Sequence, residues 1–474
     1  MWACANGASR RAISRAGLAG SASPDGIGAE KAARIDRHHD AGAARGGFTR
    51  AEIPGKFGPM TSAHLIPSHA ARPADDPIFA LNREASARKA KGESIINATV
   101  GALLDDEGKL AVLPTAARAV REVPEGDWAA YAPIAGSPDF LAAVMDDLLG
   151  TEADMRACAV GAATPGGTGA LRHAIANFLE PGQELLTTGF FWGPYQTLCD
   201  EADRKVKTFP MFAGGTANAT TDAGRQAMRV DVEAMDRALG ELVAKQGRAL
   251  VFLNDPCHNP TGYSMRKEEW RAVVECLVSH GKRAPVTLLV DTAYFAYNPH
   301  DPRAFLAELR PLLGHVGLSF AWSASKTFTH YGLRVGAIVA CVPDEAARKA
   351  TEAAFSYSCR GTWSNCNRGG LTAVTKLLRD DAMRAASDTE RDALKALLGA
   401  RVRAFNAATE GRNLAYPRYE GGFFVTVFTD DAQGRAAKMR EEGVFVVPQK
   451  GAVRVALCSV AERDVPRLVD ALAR

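Results

Sequence analysis

Apolar and polar positions follow three different rhythms along this chain. Residues 1–75 are rich in Ala, Arg, Gly and Ser and show no apolar period, which predicts a mostly disordered arm. From about residue 78, short apolar runs alternate with stretches of helical period. Glu184–Thr188, Ala249–Asn254, Thr287–Val290, Gly317–Trp322 and Val335–Val342 read as strands apolar on both faces. Ala170–Leu179 and Lys267–Val278 carry the helical period between them. This alternation predicts an α/β layer architecture around a buried parallel or mixed sheet. After about residue 385 a long helical stretch is followed by Phe423–Phe428, Val444–Val447 and Val453–Leu457, then a closing helix. That second rhythm predicts a smaller α+β domain.

Composition narrows the function without choosing it. A chain of 474 residues, 47% hydrophobic and 23% charged, can bury a large core in more than one domain. A formal charge of +3 argues against a nucleic-acid binder or a polybasic membrane partner, so any bound anion must be held locally. Nine cysteines without a C-x-x-C pair or a metal-ligand set favour a reduced, cytoplasmic compartment and no metal. No apolar run is long enough to cross a membrane. The early arginines Arg10, Arg11 and Arg15 leave open an organelle transit segment, or an upstream start with the working protein beginning near Met60. A stretch rich in Gly, Ala and Thr at 214–225 reads as a surface loop.

Four segments carry candidate chemistry. Thr164-Pro-Gly-Gly-Thr-Gly-Ala-Leu-Arg172 is a glycine-rich turn feeding a helix, a place where backbone N–H groups and the helix dipole favour an anion. It also suits a plain helix start. Asn254-Asp-Pro-Cys-His-Asn-Pro-Thr-Gly262 follows a strand, at the sheet edge where α/β proteins bind ligands. Asn259 can donate and accept there, although an Asn-Pro turn needs no ligand. Asp291, at the end of an apolar strand, is a desolvated carboxylate wanting a cation, or a helix cap. Lys326 stands among small and apolar residues in Trp322-Ser-Ala-Ser-Lys-Thr-Phe-Thr-His-Tyr-Gly-Leu-Arg334, where desolvation makes an amine nucleophilic. Ser323 and Arg334 flank it as phosphate donors.

In this order the four segments resemble the class I (fold type I) aminotransferases dependent on pyridoxal phosphate (PLP), and most closely the aspartate/aromatic branch. The likeness runs from about residue 78 to the C-terminus. Ile95-Ile-Asn-Ala-Thr-Val-Gly-Ala-Leu-Leu-Asp-Asp-Glu-Gly-Lys109 looks like that branch's N-terminal signature, and Tyr131-Ala-Pro-Ile-Ala-Gly136 is similar to its segment reaching a neighbour's phosphate. The resemblance implies a ping-pong exchange of an amino group between an L-amino acid and a 2-oxo acid, in a homodimer with shared active sites. Lys326 would form the aldimine and shuttle the proton at Cα, and Asp291 would keep the pyridine nitrogen protonated. Asn259 and Tyr294 would contact the ring oxygen and Trp192 would stack on the ring. Gly167, Thr168, Ser323, Arg334 and Tyr131 of the other subunit would hold the phosphate. Arg454 would clamp the substrate α-carboxylate, with the Gly101 backbone beside it.

The resemblance also implies a division of the chain into an arm (1–75), a small domain built from 76–109 and 391–474, and a large PLP-binding domain (110–390) with a mixed, mostly parallel sheet. Arg360, in Arg360-Gly-Thr-Trp-Ser-Asn365, looks like the arginine that binds a distal carboxylate across the dimer. It favours aspartate and glutamate without excluding aromatic side chains. Two departures bear on this. Cys366-Asn-Arg-Gly replaces a Pro-Pro-Ala-His-Gly-like run, and Tyr195 stands where aspartate-specific members often carry histidine. Decarboxylase or β-lyase chemistry on the same cofactor is the nearest alternative. A non-catalytic ligand sensor lacks its helix-turn-helix here, and a nicotinamide dehydrogenase leaves Lys326, Asp291 and Arg454 without a role.

Overall fold

Short runs of Ala, Val, Leu and Ile along the middle of the chain form one large sheet. In chain order the strands are β1 (Ile96–Asn97), β2 (Ala159–Thr164), β3 (Glu184–Thr188), β4 (Lys205–Phe209), β5 (Ala249–Asn254), β6 (Val286–Asp291), β7 (Gly317–Ser323), β8 (Gly336–Cys341), β9 (Val425–Phe428), β10 (Val444–Phe445), β11 (Val447–Gln449) and β12 (Ala452–Val455). The large sheet has the order β2-β8-β7-β6-β5-β3-β4. Its strands run parallel except β8, which is antiparallel to both of its neighbours.

This computed structural model describes residues 64–70, 72–73 and 75–474. The expectations for residues 1–63, including disorder, a transit segment and a start near Met60, lie outside the described residues. Pro67–Ala70 forms a single helical turn, and residues 73–474 form one compact unit.

Every position of β5 and β8 is buried because helices cover both sheet faces. Alternate side chains serve opposite cores. Leu250, Phe252 and Leu289 pack with Ala170, Leu171 and Ile175 of helix Gly166–Phe178. Val251, Leu253 and Leu288 pack with Trp270, Val273 and Leu277 of helix Lys267–Gly281. A separate antiparallel sheet, ordered β11-β12-β9, lies in the C-terminal part of the chain. Its core gathers Val425, Val427, Val453 and Val455 with Leu468 and Leu472 of the last helix, and with Ile96 and Ala98. β1 pairs in parallel with β10, so the segment before the large sheet returns to the end of the chain.

The five central strand predictions agree with the structure to within a residue. β2 and β4 lie outside the apolar-run pattern for different reasons: β2 is Ala/Gly-rich and barely apolar, and β4 is an edge strand with partly exposed lysines. The run Val444–Val447 is two strands, each in a different sheet. Within the stretch read as a surface loop, a 3-10 turn (Ala217–Thr220) and a helix (Asp222–Ala227) form instead. Thr221 caps that helix by accepting from the Gly224 N–H at 3.0 Å. One helix, Asp381–Ala408, runs unbroken through position 390.

Candidate active site

Strand register decides which of the candidate residues meet. Asn254 lies opposite Asp291, Asp291 opposite Ala321, Ser323 opposite Gly336, and Gly336 opposite Thr164. The four candidate segments therefore end side by side at one edge of the sheet. Between them opens a cavity of about 190 Å³ lined by Gly167, Thr168, Trp192, Asn259, Asp291, Tyr294, Ser323, Lys326 and Arg334.

One end of the cavity suits an anion. Helix Gly166–Phe178 starts there, and its first-turn N–H groups have no partner within the helix. Gly166 has φ +70°, and a Cβ on it would lie 2.6 Å from Nη2 of Arg334. Arg334, itself left-handed at φ +56°, donates to the carbonyls of Pro165 (3.2 Å) and Tyr331 (3.0 Å). The hydroxyl of Ser323 accepts from the Ser325 N–H at 3.2 Å, which places it at the same end.

The other end suits an aromatic heterocycle with a basic nitrogen. Oδ2 of Asp291 accepts from the phenol of Tyr195 at 2.7 Å, and Oδ1 accepts from the Ala293 N–H at 3.1 Å. Burial pushes this carboxyl above its ordinary range, against the Tyr195 bond that pulls it down. The buried anion therefore gains most from a cationic partner. Asn254 donates to the Asp291 carbonyl at 2.7 Å and accepts from the Asn259 N–H at 2.6 Å, which fixes the following loop to β6. Asn259 then donates to the Tyr294 oxygen at 3.4 Å, while its own Oδ1 is buried with no partner among the described residues.

Lys326 sits in the single helical turn Ala324–Thr327 after β7. It makes no ion pair among the described residues, and its Nζ lies 4.8 Å from the Tyr331 ring and 5.8 Å from the Tyr294 ring. Burial lowers its ammonium from 10.5 to about 8, with the nearby Arg334 acting in the same direction. About a tenth of such an amine is neutral and nucleophilic at pH 7, roughly 300-fold more than for an ordinary lysine.

Four of the candidate residues lie outside this cavity. Arg454 is buried on β12, where Nη2 donates to the Thr99 carbonyl at 2.6 Å and Cζ stands 4.7 Å from the Phe424 ring centre. Its Nε has no partner among the described residues. Gly101 lies against the same ring, where a Cβ would come within 2.4 Å of Phe424. Tyr131 is 86% exposed. Arg360 ends helix Glu345–Thr362 on the surface and donates to Ser364 at 2.6 Å. A group of potential metal ligands, Asp236, Cys276 and His280, lies away from the cavity, with Nε2 of His280 2.7 Å from Asp236 and the Arg283 guanidinium 3.3 Å from Nδ1.

Three further residues support the site. Asn254 closes an apolar strand, which is the sequence signal for it. Tyr195 and Tyr331 bond to Asp291 and to the Leu103 N–H across distances in sequence that no local spacing encodes.

A buried lysine and a buried carboxylate without ion-pair partners among the described residues, an asparagine oxygen without a donor among them, and an anion pocket fit PLP group by group. Together with the sheet order they define a fold type I PLP-dependent enzyme. The family described as Aminotransferase class I and II matches residues 93–472. The aspartate aminotransferase of Salmonella typhi is 30% identical over 80% of this chain and 93% of its own length. The aromatic-amino-acid aminotransferase of Pseudomonas aeruginosa is 27% identical over 66% of this chain and 74% of its own. The crystal structure of an aminotransferase from Anaerococcus prevotii superposes with a TM-score of 0.77 at 31% identity, covering 88% of this chain and 98% of that one. The chain belongs to the class I and II aminotransferase family, and is a PLP-dependent transaminase. Among the described residues no helix is long and apolar enough to cross a membrane.

Proposed function

We propose that this transaminase takes dicarboxylic and aromatic L-amino acids and their 2-oxo acids, as a homodimer in the cytoplasm. The observation carrying the site assignment is Lys326, without an ion pair among the described residues, in one cavity with Asp291, Asn259 and the Arg334 anion pocket. PLP, when bound, supplies the electron sink for bond changes at the substrate Cα. Arg334, Ser323 and the N–H groups of Gly167 and Thr168 would bind its phosphate. Asp291 would hold a proton on the ring nitrogen, Asn259 and Tyr294 would bind the ring oxygen, and Trp192 would pack against the ring. Lys326 would anchor the cofactor and carry the proton at the substrate Cα. Arg454 uses its unpartnered Nε side to orient the α-carboxylate, beside the Gly101 backbone.

Support for a shared site comes from the surface. Tyr131 and Arg360 face solvent within one chain, and Leu110, Val112, Trp128 and Ile134 are exposed apolar side chains in the same stretch as Tyr131. Burying that stretch against a second copy would bring Tyr131 to a phosphate and Arg360 to a distal carboxylate. Residues 76–109 and 391–474 act as a small domain that closes over the substrate and excludes water. The free, buried state of all eight described cysteines supports a reduced compartment.

The test is spectroscopic. Purified protein given PLP should gain a visible band absent in Lys326→Ala, and L-aspartate, L-glutamate or L-phenylalanine should each convert it to the aminated cofactor. Failure of either the dicarboxylic or the aromatic amino acids to convert it would refute that part of the substrate assignment, and an unchanged band in Lys326→Ala would refute the lysine.

A further inference from the structure

Tyr331 stands between three parts of the site that the proposed mechanism uses separately. Its ring faces the amine of Lys326 at 4.8 Å, its hydroxyl accepts from the N–H of Leu103 at 3.1 Å, and its carbonyl accepts from Arg334 at 3.0 Å. Leu103 is fully buried, and its amide belongs to the segment that carries Gly101. On its other side that segment is held by the C-terminal part of the chain: Arg454 donates to Thr99, and the Leu104 N–H donates to the Cys458 carbonyl at 3.0 Å. The Tyr331 hydroxyl therefore ties the segment beside the substrate carboxylate to the turn that carries the lysine.

We propose that Tyr331 is a positioning residue with two separable ends, the ring holding the Lys326 amine over the cavity and the hydroxyl setting the height of segment 101–104 above it. The proposal rests on the reading of Lys326 as the cofactor lysine. The physical reasons for the two ends differ. The ring packs against the amine and keeps water from it, and for this group that desolvation outweighs the weaker attraction of an aromatic face for an ammonium. A buried N–H deprived of its acceptor costs the full desolvation of that group, so the segment would shift to find another partner.

Two variants separate the ends. Tyr331→Phe keeps the ring and removes the acceptor, whereas Tyr331→Leu removes both. Both are measured first on the full chain freed of PLP, so that the readouts do not depend on catalysis. Hydrogen exchange at the Leu103 amide should accelerate roughly 5- to 100-fold in both variants. The pH profile of reductive methylation at Lys326, followed by peptide mass spectrometry, should be unchanged in Tyr331→Phe. In Tyr331→Leu its midpoint should rise by about half a unit or more, as water replaces the ring and relieves desolvation. In the PLP-loaded enzyme Tyr331→Phe should raise KM for the amino acid with kcat nearly constant. Unchanged exchange at Leu103 in Tyr331→Phe overturns the role of the hydroxyl, and an unchanged methylation profile in Tyr331→Leu overturns that of the ring. A Lys326→Ala protein that still forms the visible PLP band overturns the underlying reading instead, and that result is distinct from either.

Discussion

The phenol of Tyr195 donates to Oδ2 of Asp291 at 2.7 Å, and the same ring meets Trp192 edge-on with centroids 5.9 Å apart. One side chain thus braces both Asp291 and Trp192, the carboxylate and the indole proposed to meet the cofactor. Burial holds the phenol well above its ordinary pKa, so it stays a neutral donor throughout the working range. Tyr195→Phe preserves the ring contacts and removes one hydrogen bond to a charged group. PLP affinity, read by absorbance titration of the apoprotein, is expected to fall roughly 10- to 100-fold while thermal stability changes little. Unchanged affinity would show that Asp291 needs no help from this tyrosine.

Gly166 provides a backbone test of the proposed phosphate end. Its positive φ and the 2.6 Å approach of Arg334 to its missing Cβ both demand glycine. Gly166→Ala should push the guanidinium aside and weaken PLP binding at least 10-fold, whereas Gly182→Ala, also at positive φ but with open space around it, should leave binding intact. Equal losses in the two variants would point to general backbone strain and away from Arg334.

Much of this site was legible in sequence because strand ends are local features. Asp291, Ser323 and Asn254 each close an apolar run, and register alone then sets them side by side. Glycine-rich turns and proline-bounded loops mark themselves in the same way. Tyr331–Leu103 spans 228 positions and Tyr195–Asp291 spans 96, and no periodicity encodes such pairs. The weakly apolar β2 and the lysine-bearing edge β4 were unreadable for a different reason: pairing with neighbours, not side-chain pattern, makes them strands. Val446 lies between two strands that enter different sheets, and a continuous apolar run gives no sign of that switch.

Lys326 predicts how apoprotein stability depends on pH. Its folded pKa of about 8 lies below the ordinary 10.5. Below pH 8 the lysine is charged in both states, and burial makes folding costlier. Between about 8 and 10.5 the unfolded chain binds more protons than the native one, so this group's contribution to stability rises with pH, by on the order of 3 kcal/mol in all. Buried thiols such as Cys199, Cys257 and Cys458, each raised to about 12, act oppositely by keeping protons that the unfolded chain releases. The informative quantity is therefore wild type minus Lys326→Met in urea unfolding. Lys326→Met should be the more stable protein at pH 7, with the gap closing toward pH 10. A gap independent of pH would mean the lysine is not desolvated.

Arg360 and Lys326 test whether two chains build one site. Arg360 lies in the last turn of its helix on the surface, its guanidinium bonded among the described residues to nearby Ser364, and it does not line the cavity that holds Lys326. If it binds the distal carboxylate for a neighbour, Arg360→Leu should lower kcat/KM for L-aspartate by 10²-fold or more and alter that for L-phenylalanine far less, because only the dicarboxylate loses a charge-assisted pair. Mixing this variant with inactive Lys326→Ala then gives a geometric readout. In a mixed dimer, the site containing the intact Lys326 receives its arginine from the Lys326→Ala chain, and so has both groups. The other site has neither. Aspartate turnover should recover toward one quarter of the wild-type level in an equal mixture, since half of the dimers are mixed and each has one complete site. A mixture no more active than the Arg360→Leu protein it contains would place Arg360 in its own chain's site, or outside the active site altogether.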